Sequence, residues 1–369
     1  MRILAIETSC DETAICMVNF RKGGNAFTVE KNILVSQIEI HREFGGVYPH
    51  IAKREHIKNL PILLEQVIGD EKNFKNIDGI AVTYGPGLSP ALWTGIEISK
   101  QISLEYNIPI YPINHMEGHI YASTLAPSVS NSKKTNTKNN NTSLEFSFGE
   151  VAYPAVALLI SGGHTELVFI NSEMNYKKIG YTLDDAVGEA FDKVARTLGY
   201  NYPGGPEISK RAEIGRKMTG AIREDLRLPR PMLHSNDLNF SFSGLKTSVM
   251  TKVERYNLEE SEKELFCMEF ENAVTDVLLK KTREALYLYN AKTLIIGGGV
   301  SANNHIRSIM KKMCEEDDIK LFMPASALST DNALMIAATA VAKINKNASP
   351  LLAKEDALVG LRAEPNLSF

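Results

Sequence analysis

Apolar runs of strand length recur at 3–6, 13–20, 33–40, 77–83, 108–111, 156–160, 166–170, 293–296 and 320–323. Between them lie stretches in which apolar residues return every three or four positions, the spacing of a helix with one buried face. The stretch 51–68 carries Ile51, Ile57, Leu60, Leu63, Leu64 and Val67 in that register, and Pro61 inside it is expected to kink or divide the helix. Further helices are predicted from His115 onward and over 90–106, 185–198, 244–255, 259–289 and 333–343. The segment from 207 to about 243 reads as irregular, and so does the tail 351–369. Strands alternating with helices define an α/β chain.

One pattern occurs twice. An apolar strand, a polar turn and a returning strand open the chain at 3–20 and recur at 156–170. With 369 residues to place, a duplicated two-lobe architecture with a cleft between the lobes is the natural expectation. The expected division is an N-terminal lobe 1–123, an insertion 124–150, a C-terminal lobe 151–345 and a tail 346–369. The core of the insertion, 130–143, holds only Ser, Asn, Lys and Thr, which cannot enter an apolar core, so it is expected to be disordered.

Composition narrows the class. The chain is 44% hydrophobic and 23% charged, globular values, and its formal net charge of −3 excludes a generally basic nucleic-acid binder. Cys10, Cys16, Cys267 and Cys314 form no C-x-x-C pair and no disulfide framework, as expected for a reducing cytosol. The apolar run after Met1-Arg2 is far too short for a signal sequence, no Arg/Ser-rich presequence is apparent, and no run of about 18 apolar residues could span a membrane. A soluble cytoplasmic protein is expected.

The chemistry gathers at turns. His115 and His119 stand four apart in His115-Met116-Glu117-Gly118-His119, so a helix puts both rings on one face within reach of one ion. Zinc peptidases use this spacing with a glutamate directly after the first histidine as general base. Met116 occupies that place here, and Glu117 lies roughly 200° round the helix from His115. Two ordinary histidines on a capped helix would give the same pattern. Glycine turns follow strands at 85–87, 161–163 and 297–299, where main-chain N–H groups can approach an anion. Neither a P-loop nor a dinucleotide fingerprint is present. Asp331 opens the last long helix and is explained by capping, or else completes a His, His, Asp ligand set. Asp192 either pairs with Lys193 or accepts hydrogen bonds from a ribose. Between Lys210 and Arg230, seven basic residues face three acidic ones, which is either an RNA-phosphate patch or a solvated mixed surface.

Taken in order, Ile6-Glu7-Thr8-Ser9-Cys10-Asp11-Glu12-Thr13, Gly85-Pro86-Gly87, His115-Met116-Glu117-Gly118-His119, Ser161-Gly162-Gly163-His164-Thr165, Gly188-Glu189-Ala190-Phe191-Asp192-Lys193, Tyr202-Pro203-Gly204-Gly205-Pro206, Gly297-Gly298-Gly299-Val300-Ser301-Ala302-Asn303 and Ser329-Thr330-Asp331-Asn332 closely resemble the TsaD family, formerly labelled Gcp or O-sialoglycoprotein endopeptidase. The likeness runs from residue 1 to about 345 apart from the insertion, and Phe242-Ser243-Gly244-Leu245-Lys246-Thr247 resembles the bacterial and organellar branch.

The resemblance implies a two-lobe actin/hexokinase/Hsp70-like (ASKHA) fold. It implies transfer of threonylcarbamoyl from threonylcarbamoyl-adenylate to N6 of adenosine 37 in the anticodon loop of tRNAs reading ANN codons, with release of AMP. By motif, His115, His119 and Asp331 would hold one divalent metal, iron(II) or zinc. Leu159, Ile160, Ser161, Gly162, Gly163, Asp192, Gly205 and Asn303 would hold the adenylate. TsaB-like and TsaE-like proteins would be the partners, and no membrane is involved. No general base is assigned: the leaving phosphate, a bound water and His164 all remain open. Two other classes stay in view, a metallopeptidase and a non-catalytic nucleotide-binding subunit of the same fold.

Overall fold

The computed structural model describes residues 1–128, 144–218 and 222–369. The disorder expected of 130–143 therefore lies outside the described residues. Contacts divide the chain into two compact units, one made of residues 1–37, 47–150 and 331–368, the other of 38–46, 151–330 and 369.

In chain order the elements are β1 (Arg2–Glu7), β2 (Glu12–Phe20), β3 (Ala26–Ser36), α1 (Ile38–Arg42), α2 (Pro49–Ile68), β4 (Gly79–Gly85), α3 (Ser89–Tyr106), β5 (Ile110–Asn114), α4 (His115–Ser123), β6 (Leu125–Pro127) and β7 (Leu144–Phe148). They continue with β8 (Ala155–Ile160), β9 (Thr165–Ser172), β10 (Asn175–Tyr181), α5 (Val187–Thr197), α6 (Gly204–Lys217), α7 (Ser243–Arg255), α8 (Glu260–Leu288), β11 (Thr293–Gly297), α9 (Asn304–Glu316), β12 (Lys320–Phe322), α10 (Ala333–Asn345) and α11 (Glu355–Leu358).

The duplication is visible in the topology. The first sheet runs β5-β4-β1-β2-β3-β7-β6 and the second β10-β9-β8-β11-β12. In each, three consecutive strands pair antiparallel, then a later strand joins the first of them in parallel and a further parallel strand closes that side. The central strands β1 and β8 are almost wholly buried, which is why they read as unbroken apolar runs. In both units the strand beside them ends in glycine, at Gly85 and Gly297, before a turn and a helix.

Several local expectations are revised. Pro61 does not divide α2, which runs unbroken over Pro49–Ile68 with Pro61 exposed, so the carbonyl it leaves unbonded faces water. The expected strand over 33–40 is the end of β3 followed by the short α1. Inside the expected insertion, β6 and β7 extend the first sheet through β3. The helix over 333–345 and the segment to 368, assigned by sequence to the second lobe and to a tail, pack with the first unit. The reason is burial: α10 is Ala-rich and buried over nearly its whole length, so it is wrapped by β1, β2 and α4 rather than laid on a surface.

The stretch 210–230 is not a free basic patch. Arg211 pairs with Glu207 and Glu260 at 3.1 Å, Arg216 with Glu271 at 2.6 Å, and Arg223 with Asp225 and Glu262 at 2.8 and 2.9 Å. Lys217, Arg227 and Arg230 likewise reach Glu213, Glu224 and Asp276. Four of these eight acids, Glu260, Glu262, Glu271 and Asp276, come from α8, which the local charge count could not see.

Asp185 ties α5 to α7. Its carboxylate takes Lys193 at 2.9 Å and Lys246 at 2.7 Å. Burial opposes ionisation, but Lys246 and Lys193 outweigh it and hold the group below the usual carboxylate range. A depressed folded-state pKa means stability that is present above the unfolded value and lost as pH falls through the folded one. Asp185→Asn is expected to cost about 1–2 kcal/mol in urea unfolding at pH 7. That deficit should shrink as both proteins are taken toward pH 3. A deficit that stays constant with pH would show that the charge is not the source.

Candidate metal centre

All three sequence-predicted ligands belong to the first unit, and the structure brings them together. α4 begins at once after β5, because Asn114, the last residue of β5, accepts from Met116 N–H at 2.8 Å and Glu117 N–H at 3.4 Å as N-cap. Capping of this kind contributes about 1 kcal/mol, and it fixes where the helix starts. His115 and His119 follow one turn apart, both buried, with ring centroids 4.8 Å apart and planes at 88°. The third ligand arrives on α10. Gly118 suits this close approach: a Cβ there would lie 3.1 Å from Met335 Cγ and 3.2 Å from Ile336 Cδ1, tight enough that those side chains would have to shift. Lys343 on α10 also reaches Glu117 at 2.5 Å.

The capping explanation for Asp331 does not hold. Asn332 is the N-cap of α10, its side chain accepting from Met335 N–H at 3.0 Å. Asp331 sits one residue earlier, and its Oδ1 lies 3.3 Å from His115 Nε2 and 3.2 Å from His119 Nε2. The three ligand atoms all lie within 4.8 Å of one another. His119 Nε2 is buried and finds no hydrogen-bond partner of good geometry among the described residues. A buried imidazole nitrogen left in that state has a desolvation cost that a bound cation removes. Two imidazoles and a carboxylate converging on one point fit a divalent ion such as zinc or iron(II).

Behind His115 stands a support that spacing did not reveal. Its Nδ1 is 3.0 Å from Ser9 Oγ and 3.2 Å from Glu7 Oε2. Glu7 is fully buried at the end of β1 and also accepts from Thr83 Oγ1 at 2.6 Å and from Ser9 N–H at 2.5 Å. A carboxylate that accepts at Nδ1 leaves Nε2 as the lone-pair nitrogen facing Asp331. Without a cation the charges compensate one another. Burial works against a charged His115, but Asp331 and Glu7 outweigh it and hold its pKa well above the usual value. Burial likewise opposes Asp331, and His115 and His119 hold it well below the usual range. One signal for Glu7 was available, since an acid closing an apolar central strand must have buried partners.

The same turn carries Asp11 and Glu12, both buried. Burial, then the neighbouring Asp11 and Asp331 carboxylates, push Glu12 well up. Asp11 Oδ2 has no hydrogen-bond partner among the described residues.

The residues assigned by motif to the adenylate all lie in the second unit. Leu159 and Ile160 end β8 and are buried. Ser161 closes the turn, donating its N–H to His164 O at 2.8 Å and accepting from Gly188 N–H at 3.2 Å. Gly162 and Gly163 are exposed, with open space where side chains would be. Asp192, on α5, accepts from Gly204 N–H at 2.7 Å and so caps α6 just before Gly205. Asn303 is engaged on both sides: its Oδ1 accepts from Ile306 N–H at 3.0 Å and caps α9, and its Nδ2 donates to Ser209 Oγ at 2.7 Å and Glu271 Oε1 at 2.5 Å. The turns that carry these residues touch: a Cβ on Gly298 would meet Ile160 O at 2.4 Å, and one on Gly188 would meet Gly162 Cα at 2.9 Å.

The fold and the ligand trio together define a class, a two-lobe actin-like α/β protein with a His/His/Asp centre in its first unit. The fold is shared with distant proteins. Full-length HypF aligns with a TM-score of 0.55 at 11% identity, covering 94% of this chain and 55% of HypF. A ROK family protein from Streptococcus pneumoniae aligns with a TM-score of 0.50 at 13% identity, covering 94% of this chain and all of that one. Sequence is more specific. The profile described as TsaD, tRNA N6-adenosine threonylcarbamoyltransferase, matches residues 28–132 and 140–338. Relatives named tRNA N6-adenosine threonylcarbamoyltransferase include one from Persephonella marina, 41% identical over 92% of this chain and 89% of its own length. Another, from Bacillus subtilis, is 40% identical over 94% of this chain and 91% of its own. The chain belongs to the TsaD family.

Proposed function

We propose that this chain transfers the threonylcarbamoyl group of threonylcarbamoyl-adenylate to N6 of adenosine 37 in tRNAs reading ANN codons. The observation that carries the reading is the convergence of His115, His119 and Asp331 in a chain of this family. In the reaction the N6 amine attacks the carbamoyl carbonyl, the bond from that carbon to the phosphate oxygen breaks, AMP leaves and N6 gives up a proton. His115, His119 and Asp331 would hold one divalent ion, iron(II) before zinc, and that ion would supply Lewis acidity at the carbonyl under attack. Glu7 keeps His115 in the ligating tautomer. The exposed main chain at Gly162 and Gly163 has room for the phosphate of the adenylate. The anticodon loop presents an adenosine that is unstacked at lower cost than in a duplex.

A peptidase reading is not favoured. The position after His115 holds Met116, 2% exposed, and Glu117 is committed to Lys343. A non-catalytic subunit would have no use for the trio. TsaB-like and TsaE-like partners and a cytoplasmic setting complete the proposal. Among the described residues no helix is long and apolar enough to cross a membrane.

The test is transfer of labelled threonine from supplied threonylcarbamoyl-adenylate to unmodified tRNA, by the chain alone and with bacterial partner proteins. Label should enter the tRNA and disappear with His115→Ala. No label under any of these conditions, with iron or zinc added, would overturn the reading.

A further inference from the structure

The segment after α10 matches no motif, yet its path is tightly specified. Leu351 exchanges both main-chain hydrogen bonds with Ile110, at 2.8 and 2.7 Å, so the C-terminal region begins as an added rung beside β5. Leu358 and Leu361 are buried in the same core cluster as Leu4, Ile6 and Val82. These contacts anchor the segment. Beyond Leu361 the chain lies against the end of β4.

Glu364 donates its N–H to Tyr84 O at 2.8 Å, and Pro365 O accepts from Gly87 N–H at 3.2 Å. The backbone comes so close that a Cβ on Gly85 would lie 2.0 Å from Glu364 O and 3.0 Å from Leu367 Cβ. Glycine at 85 is thus a condition for the segment to seat at all.

The turn it seats on leads to the ligand trio by two routes. Gly85 is the register partner of Asn114, the N-cap that sets where α4 and its two histidines begin. On the other side, Leu88 N–H donates to Ser9 O at 2.8 Å, and a Cβ on Gly87 would lie 2.7 Å from that same oxygen. Ser9 Oγ in turn lies 3.0 Å from His115 Nδ1.

We infer that residues 364–367 form a strap that positions the His115, His119 and Asp331 centre by holding the Gly85-Pro86-Gly87 turn. Among the described residues no hydrogen bond or ion pair joins the strap to the ligands, so its action is through placement. It fixes the start of α4 and the hydroxyl behind His115, and both set where Nε2 points. The inference rests on the metal reading of the trio.

Cobalt(II) is the probe, because its absorption reports ligand geometry as well as binding. Four proteins are compared: the unaltered chain, a chain ending at Arg362 that keeps Leu358 and Leu361, full-length Gly85→Ala, and Pro365→Ala, which keeps the accepting carbonyl. Far-ultraviolet circular dichroism checks the fold of each. The truncated chain and Gly85→Ala are expected to lose about tenfold in cobalt affinity and to show an altered d–d spectrum at saturation, while Pro365→Ala keeps both. A merely structural tail would lower the melting temperature and leave the saturated spectrum unchanged. Wild-type affinity and spectrum in both the truncated chain and Gly85→Ala would overturn the strap. Absence of cobalt binding by the unaltered chain would instead overturn the metal reading.

Discussion

Asp331→Ala is expected to reduce metal affinity by on the order of a hundredfold or more and to take threonylcarbamoyl transfer to background. Loss of an outer partner of a ligand already costs 10–100-fold in many metal sites, and loss of a ligand exceeds that. The position makes a clean test. Asp331 is 20% exposed in its side chain, so its removal leaves no large core cavity, and the capping of α10 belongs to Asn332. Its Oδ1 is the atom that both Nε2 nitrogens approach, at 3.3 and 3.2 Å, so one substitution removes the feature common to both. In the metal-free protein Asp331 also balances His115 and His119, so a lower melting temperature is expected and the variant is compared well below it, where circular dichroism shows it folded. Metal content by mass spectrometry and label transfer to tRNA are the readouts. Transfer that persists at the wild-type rate in metal-free Asp331→Ala would mean that the trio is no part of the chemistry.

Much of this was legible in the sequence, and physical reasons separate what was from what was not. β1 and β8 are buried on both faces, so they appear as unbroken apolar runs, and the polar turn after each exposed the duplication. His115 and His119 are four apart on a helix, a local relation that spacing captures. Asp331 lies far along the chain, and spacing alone left it as a cap. Only the packing of α10 on α4 across Gly118 separates its role from that of Asn332.

The missed helix α6 has the opposite cause. Gly204, Gly205 and Pro206 at its start read as a turn, although proline and glycine are tolerated in a first turn whose N–H groups lack intrahelical partners. Behind them Ile208, Ala212 and Gly215 do keep the helical spacing, with Glu207–Arg211 and Glu213–Lys217 as i,i+4 pairs. The basic stretch misled for a related reason. Charge counted along the chain ignores acids brought from another helix, here Glu260, Glu262 and Glu271 on α8.

Glu7→Gln is expected to lower metal affinity by about 10–100-fold while leaving the three ligands untouched. The carboxylate is acceptor-only, and its two oxygens serve three donors, Ser9 N–H, Thr83 Oγ1 and the Nδ1 side of His115. A glutamine keeps one oxygen, which the Ser9 N–H at 2.5 Å claims because a main-chain donor cannot reorient. The new amide nitrogen then points at Thr83 and His115. Thr83 can turn its hydroxyl and accept, but His115 can only satisfy a donor by presenting a bare Nδ1. The proton moves to Nε2, the atom that faces Asp331, and an Nε2–H cannot ligate. Isosteric replacement keeps the volume, so packing of β1 is preserved and the loss is one of tautomer. The sign is therefore specific: Glu7→Asp, which shortens the reach but stays an acceptor, should retain more affinity than Glu7→Gln. Nitrogen NMR of labelled histidine in the metal-free proteins, taken at a pH high enough for the His115 ring to be neutral, would read the tautomer directly, alongside metal competition against a chelator. Equal affinities for the two variants, with an unchanged His115 tautomer, would remove Glu7 from the positioning of the site.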